Sequence, residues 1–298
     1  CEPTSEVGLN VGGTVGTWHI RNTGDPIWSG INGQADADAD ICECWGEGYT
    51  GTGIKVGVID FGGIEFSHDD FENTNINEVF TANNQQVSTS DVYIDPGDGH
   101  AMMVSGVISA TPNNTSSGQR YAVGAAYGAE LKPYLVDPSA GNAQIEIAIQ
   151  RAAFDEVDVV NMSFTTGAGN GNLENDINNI ISTGRPDPNA PGGNWGTICV
   201  AGAGNADQQA SNFPANMQYV IGVGWSNPED YRCSANAPGP GGGWSINSGE
   251  GSTYGPPEYE YDVVAPGELI MTTDLTGSLG TFPSSYTTNK GSSFSAPI

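Results

Sequence analysis

The chain has 298 residues with 35 acidic and 8 basic side chains, a formal net charge of −27, which excludes a nucleic-acid partner because such binding needs a basic face. No uncharged apolar run is long enough to span a bilayer, so a transmembrane segment is excluded as well. With 37% hydrophobic residues, and with 43 Gly and 18 Pro falling below the low-complexity range, the composition predicts a folded, loop-rich globule.

Residues 1–50 are polar and irregular and read as an arm packing on the domain that follows, with one short helix at Ile41 to Glu47. The acidic run Asp36-Ala37-Asp38-Ala39-Asp40 reads as solvated surface, with a bound cation as the other reading. Ile54-Lys55-Val56-Gly57-Val58-Ile59 is a compact β-branched run after Gly51-Thr52-Gly53, so it predicts a buried strand ended by Asp60. Residues 64–99 are loop-rich, with a candidate strand at Val92 to Ile94. A helix opens at Gly99-His100 with Met103, Val104, Val107 and Ile108 on one face. The predicted order then continues with a strand at Leu131 to Val136 and a helix whose apolar positions are Ile145, Ile147, Ala148, Ile149, Ala152 and Phe154. A strand at Val157 to Met162, a helix at Leu173 to Ile181, and strands at Thr197 to Ala201, Tyr219 to Val223 and Tyr261 to Val264 follow. Asn236 to Gly243, rich in Gly and Pro, is a surface loop.

Strands alternating with helices predict an α/β fold: a doubly wound, mostly parallel sheet with helices on both faces. Ligands of such sheets sit beyond the carboxyl ends of the strands. Those ends are Asp60, Ser163-Phe164-Thr165 and Gly202-Ala203-Gly204-Asn205.

The five cysteines are odd in number and show no C-x-x-C spacing. Cys199 lies in an apolar run and reads as a small hydrophobe. Cys42 and Cys44 stand too close in sequence to pair with each other, and the disulfide pairing is otherwise open. Cys1 fits either a lipidated N-terminus left by signal-peptide cleavage or a simple boundary.

The chemistry starts from Gly291-Ser292-Ser293-Phe294-Ser295-Ala296-Pro297-Ile298. A hydroxyl in a run of small residues after a glycine suits a turn into a helix N-terminus, where unpaired N–H groups favour negative charge. Taken alone the run also reads as a Ser-rich tail. A serine nucleophile needs a base, usually a histidine oriented by a carboxylate. There are three histidines. His19 lies in the arm and His68 in a surface-like loop, whereas His100 starts a helix between small residues and is the candidate base. Asp60 closes a buried strand, where a carboxylate needs a donor such as an imidazole N–H. Asn205, flanked by glycines at a strand end, can aim its amide at a developing oxyanion. Each also has a plain turn reading.

In chain order these residues run Asp60, His100, Asn205, Ser293, and here the sequence resembles the subtilases, the subtilisin-like and kexin-like serine proteases. The resemblance is carried by Gly51 to Asp60, by His68-Asp69-Asp70-Phe71, by Gly99-His100-Ala101-Met102-Met103-Val104-Ser105-Gly106 and by Tyr121 to Ala126. It continues through Val160-Asn161-Met162-Ser163, Ala203-Gly204-Asn205, Val263 to Gly267 and Gly291 to Pro297, with Trp18 to Gly24 and Gly48 to Gly51 in the arm. It implies a serine endopeptidase with catalytic Asp60, His100 and Ser293 and with Asn205 in the oxyanion hole, and it makes His68 structural. By the same resemblance Ser139, Ala140, Gly141, Ser163, Phe164 and Thr165 would clasp a protein or peptide substrate, and Gly202, Ala203 and Gly204 would line a pocket. Catalysis would need no cofactor. A structural calcium is implied, with Asp70 and the loop Thr111 to Gly118 as places for it, as are a secreted or cell-surface location and a propeptide or inhibitor as partner.

The sequence departs from the family pattern at three points. Phe61 stands where Thr or Ser is commoner, removing a side chain that could bond the carboxylate. Ala101, Met102 and Met103 stand where the family has Gly, Thr and His and are expected to make the rim of the His100 helix more apolar. The chain ends five residues after Ser293, so the resemblance implies a peptidase domain over 51–298 whose C-terminal part is missing and whose sheet leaves apolar surface bare. These departures leave a second reading open: an inactive subtilase-like domain that binds extended peptides. A calcium-binding acidic adhesion module would explain the charge but none of these motifs.

Overall fold

A computed structural model describes residues 17–28, 31–71, 76, 79–81, 85–87, 99–112, 122–137, 141–167, 169–235, 249–256, 261–280 and 285–298. Cys1, Tyr121, Ser139, Ala140, the candidate strand Val92 to Ile94, the loop Asn236 to Gly243 and positions 113–118 lie outside the described residues.

The central strand is β3, Lys55–Asp60. Its β-branched residues point alternately to two cores, which is the period-two consequence of a strand covered on both faces. It pairs in parallel with β6 (Glu130–Leu135) on one side and with β7 (Val159–Met162) on the other. Outward from β7 come β8 (Ile198–Gly202), β9 (Val220–Ser226) and β10 (Val263–Pro266), all parallel. Outward from β6 come β4 (Val79–Thr81), parallel, and β5 (Gln85–Val87), antiparallel at the edge. The strand order therefore reverses at β3, and the crevice at a reversal is where such sheets bind ligands.

Helix α2 (His100–Ser109) covers one face, packing on Val56, Val58 and Leu131. Helices α3 (Asn142–Phe154) and α4 (Gly171–Thr183) cover the other, over Ile59, Val160, Met162 and Cys199. Burial among these side chains pushes the Cys199 thiol up to about 12, as expected of a small hydrophobe. Asn170 starts α4 by accepting from the N–H groups of Asn172 and Leu173, at 3.1 and 2.9 Å. The apolar positions of α3 include two that do not reach the core: Ile147 is 39% and Phe154 76% exposed. Phe154 instead lies against the Arg151 guanidinium, 4.9 Å from its ring.

In the arm, a small hairpin of β1 (Pro26–Trp28) and β2 (Ile31–Asn32) precedes α1 (Ile41–Gly46). Trp18 and Ile20 are buried, and Trp18 Nε1 donates to the Glu268 carbonyl at 2.8 Å. A second hairpin, β11 (Ile270–Thr273) with β12 (Tyr286–Asn289), leads into the short helix α5 (Ser292–Ser295). Its threonines explain an unexpected burial. Thr272 and Thr273 donate from Oγ1 to the carbonyls of Met103 and Met102, at 2.5 and 2.9 Å, so α2 is covered on both sides. Met102 is fully buried and Met103 is 6% exposed, so they thicken the core beneath α2 rather than forming an apolar rim. At the β8–β10 end of the sheet, Ile198, Ile221, Val263 and Val264 are exposed. Among the described residues no helix is long and apolar enough to cross a membrane.

Candidate active site

Asp60 is the last residue of β3 and is fully buried. Its Oδ1 accepts from His100 Nδ1 at 2.6 Å and from the Phe61 backbone N–H at 2.7 Å. A carboxylate only accepts, so Nδ1 carries the ring hydrogen, and in the neutral imidazole Nε2 is then the acceptor. His100 reaches this place because α2 begins immediately after Gly99, while the N–H groups of Ala101 and Met102 bond back to the Phe61 and Gly63 carbonyls, at 3.0 and 3.1 Å. Gly99 is closely packed here: a Cβ there would stand 3.1 Å from Asp274 Oδ1. The sequence suggested that Phe61 leaves the carboxylate one partner short; the Phe61 backbone supplies a donor that its side chain lacks.

Local packing separates the three serines of α5. Ser292 is buried, accepting from Gly204 N–H on its Oγ at 2.9 Å. Ser295 is buried, donating to the Pro266 carbonyl at 3.0 Å. Ser293 alone of them is partly exposed, and its Oγ donates to the Ser163 carbonyl at 2.9 Å. Ser163 Oγ returns a bond to the Ser293 carbonyl at 2.8 Å while accepting from Asn161 Nδ2 at 2.8 Å. Next to Ser293, the Phe294 ring lies 5.8 Å from that of His100, centroid to centroid, which brings the α5 turn to the Asp60–His100 corner.

Asn205 follows β8 and is exposed, with its Oδ1 accepting from Ser292 N–H at 2.8 Å. That bond fixes which end of the amide is oxygen and leaves Nδ2 as its donor end. Gly291 makes the approach possible. Its φ is +119°, and a Cβ there would lie 2.9 Å from Asn205 Nδ2. The loop after Asn205 is braced by Arg232, which donates to Asp207 Oδ1 at 2.9 Å and to the Ser252 carbonyl at 2.6 Å.

Gly202, Ala203 and Gly204 are buried. A Cβ on Gly202 would meet Ser292 Oγ at 2.9 Å, and one on Gly204 would meet Asn212 Nδ2 at 2.5 Å, so the protein itself uses their smallness. Phe164 is half-buried and Thr165 exposed beyond β7, while Gly141 precedes α3 with φ +68°. His68 is buried rather than at the surface: Nε2 donates to the Ser285 carbonyl at 2.9 Å and Nδ1 accepts from Asp70 N–H at 3.1 Å, so both nitrogens are engaged.

Asp70 is fully buried and accepts from Tyr286 OH at 3.0 Å. Among the described residues, Asp70 belongs to no group of three His, Cys, Asp or Glu side chains close enough to share a metal ion. The one such group is Asp38, Asp40 and Glu43, where the Asp38 oxygens accept from the N–H groups of Asn22 and Asp40, at 2.6 and 2.8 Å.

Sequence reasoning gave no role of their own to Asn161, Phe294 or the Asp207–Arg232 pair. Asn161 and Phe294 nonetheless stood inside motifs that carry the resemblance, and Asn161 is the one polar residue in the apolar strand β7.

A model of the Subtilase family matches residues 51–298. Subtilisin E of Bacillus subtilis (strain 168) is 29% identical over 243 residues, covering 79% of this chain and 52% of that protein. Neuroendocrine convertase 2 of Bos taurus is 28% identical over 144 residues, covering 45% of this chain and 21% of that one. This chain thus spans about half the length of the curated subtilisin it matches. Among solved structures, a protease from Pseudoalteromonas arctica superposes with a TM-score of 0.65 at 24% identity, covering 88% of this chain and 79% of that one. At that identity the likeness speaks for the fold. Since the family model runs unbroken from the residues before β3 to those of α5, this chain belongs to the subtilase family.

Proposed function

We propose that the chain carries the catalytic groups of a serine endopeptidase acting on protein or peptide substrates. The observation that carries the reading is the 2.6 Å bond between His100 Nδ1 and the fully buried Asp60, made at the sheet's reversal point beside the α5 turn. The Ser293 hydroxyl turns from the Ser163 carbonyl to His100 Nε2 when substrate arrives; such bonds are often formed only in the complex. Ser293 Oγ then attacks the peptide carbonyl carbon as its proton passes to Nε2, and the imidazolium gives that proton to the leaving amine. Asp60 holds the ring in the required tautomer and stabilises its charged form. Asn205 Nδ2 and the Ser293 backbone N–H would stabilise the oxyanion. Water, activated by the same imidazole, hydrolyses the acyl-enzyme.

The strand end at Ser163-Phe164-Thr165 would hold the substrate backbone as an added strand, with Gly141 opposite. Fluorophosphonate labelling followed by intact mass is expected to show one adduct on the wild-type protein and none on Ser293→Ala. An unlabelled wild type would defeat this reading and favour a domain that only holds peptides.

A further inference from the structure

We propose that Phe61 is a positioning residue for His100, clamping the imidazole in the orientation in which Nδ1 meets Asp60. The inference rests on the peptidase reading above for its kinetic consequence, but its geometry is independent of it. The Phe61 and His100 rings are stacked, with centroids 4.7 Å apart and planes 14° from parallel. The Phe61 N–H and His100 Nδ1 converge on the same oxygen, Asp60 Oδ1. The Phe61 carbonyl accepts from Ala101 N–H at 3.0 Å. One residue thus fastens the end of β3 to the first turn of α2 and lays a flat surface on the ring between them.

The physical need is plain. A single hydrogen bond from Nδ1 fixes one atom of the imidazole but leaves the ring free to rock about that bond. Rocking moves Nε2, the atom that must take the serine proton, and misplacement of a reacting atom by about 1 Å costs about 10²-fold in rate. A parallel ring in van der Waals contact opposes that motion. It also covers one face of the imidazole against water. Phe294, at 57° to the imidazole, borders it from α5, so the ring has aromatic neighbours from two elements.

Three variants test this. Phe61→Leu keeps an apolar side chain but loses the flat face, Phe61→Ala loses both without adding a hydroxyl, and Phe61→Tyr keeps the ring. The concentration dependence of fluorophosphonate labelling separates reagent binding from the bond-forming step. Phe61→Leu and Phe61→Ala are expected to slow the bond-forming step about tenfold with binding changed less than about twofold, and Phe61→Tyr to keep it near the wild-type rate. Proton NMR gives a second readout. Ring current from Phe61 shifts the His100 ring protons upfield, and those signals move back downfield in Phe61→Leu. Leu and wild type labelling at the same rate, or an unmoved His100 signal in Phe61→Leu, would overturn the clamp. A wild type that takes no label defeats the peptidase reading instead, and the NMR shift still decides whether the rings are stacked.

Discussion

His19 is fully buried, and neither ring nitrogen has a partner among the described residues. Burial of a group without a partner disfavours its charged form, which lowers its pKa from 6.5 to about 3. The sign follows directly. Between about 3 and 6.5 the unfolded chain protonates this histidine and the folded chain does not, so stability rises with pH across that window and is lost on acidification. The slope for one such group approaches about 1.4 kcal/mol per pH unit. Urea denaturation at several pH values between 4 and 7 should therefore show His19→Leu losing less stability on acidification than wild type; equal slopes would contradict the assignment. His68 and His100 differ from it because each has a hydrogen-bond partner: His68 uses both nitrogens structurally, and His100 bonds to Asp60. Residue type alone could not separate these three; burial and partners do.

Helix α2 looks one-faced in sequence but is buried from Ala101 through Ser109. The reason is the β11–β12 hairpin, whose threonine hydroxyls sit on the helix backbone. Gly106 permits that approach, since a Cβ there would stand 2.3 Å from Thr273 Oγ1 and 2.5 Å from Thr272 Oγ1. Gly106→Val is expected to force the hairpin off the helix at a cost of about 1–3 kcal/mol. Chemical denaturation measures it, and a variant as stable as wild type would show that the hairpin yields freely. The hairpin also leads into α5, so the same change should disturb Ser293 through the chain it follows. Neither strand of this hairpin was predicted: Tyr286-Thr287-Thr288-Asn289 has no apolar alternation, and it pairs with β11, whose Thr272 and Thr273 hydroxyls find acceptors on the helix backbone.

Across the whole molecule, 35 acidic side chains face 8 basic ones. The basic residues are largely engaged in pairs such as Arg151–Asp155, Arg232–Asp207 and Lys290–Glu250, with N···O distances of 2.9, 2.9 and 2.6 Å. The remaining carboxylates repel one another over distances that salt screens, from about 30 Å at 0.01 M to about 3 Å at 1 M. Raising sodium chloride from about 0.01 to about 0.5 M should therefore raise Tm by several degrees, as scanning calorimetry would show. An unchanged or lower Tm would mean that the charges are too dispersed to strain the fold.

Sequence by itself determined the alternation of strands and helices, the largely apolar inner strands β3, β7 and β8, and the positions of Asp60, His100 and Asn205 at strand and helix ends. Those features are local: periodicity and chain order dictate them. The three-dimensional packing decided what depends on residues distant in sequence. It brought Asp60 and His100, 40 residues apart, into one hydrogen bond, and set Ser163 against Ser293 across 130 residues. It buried Ser292 and Ser295 while leaving Ser293 partly exposed, turned Met102 and Met103 into the core, and laid Phe61 on the imidazole. No local pattern encodes these outcomes, because each depends on which surface the rest of the chain presents to the residue.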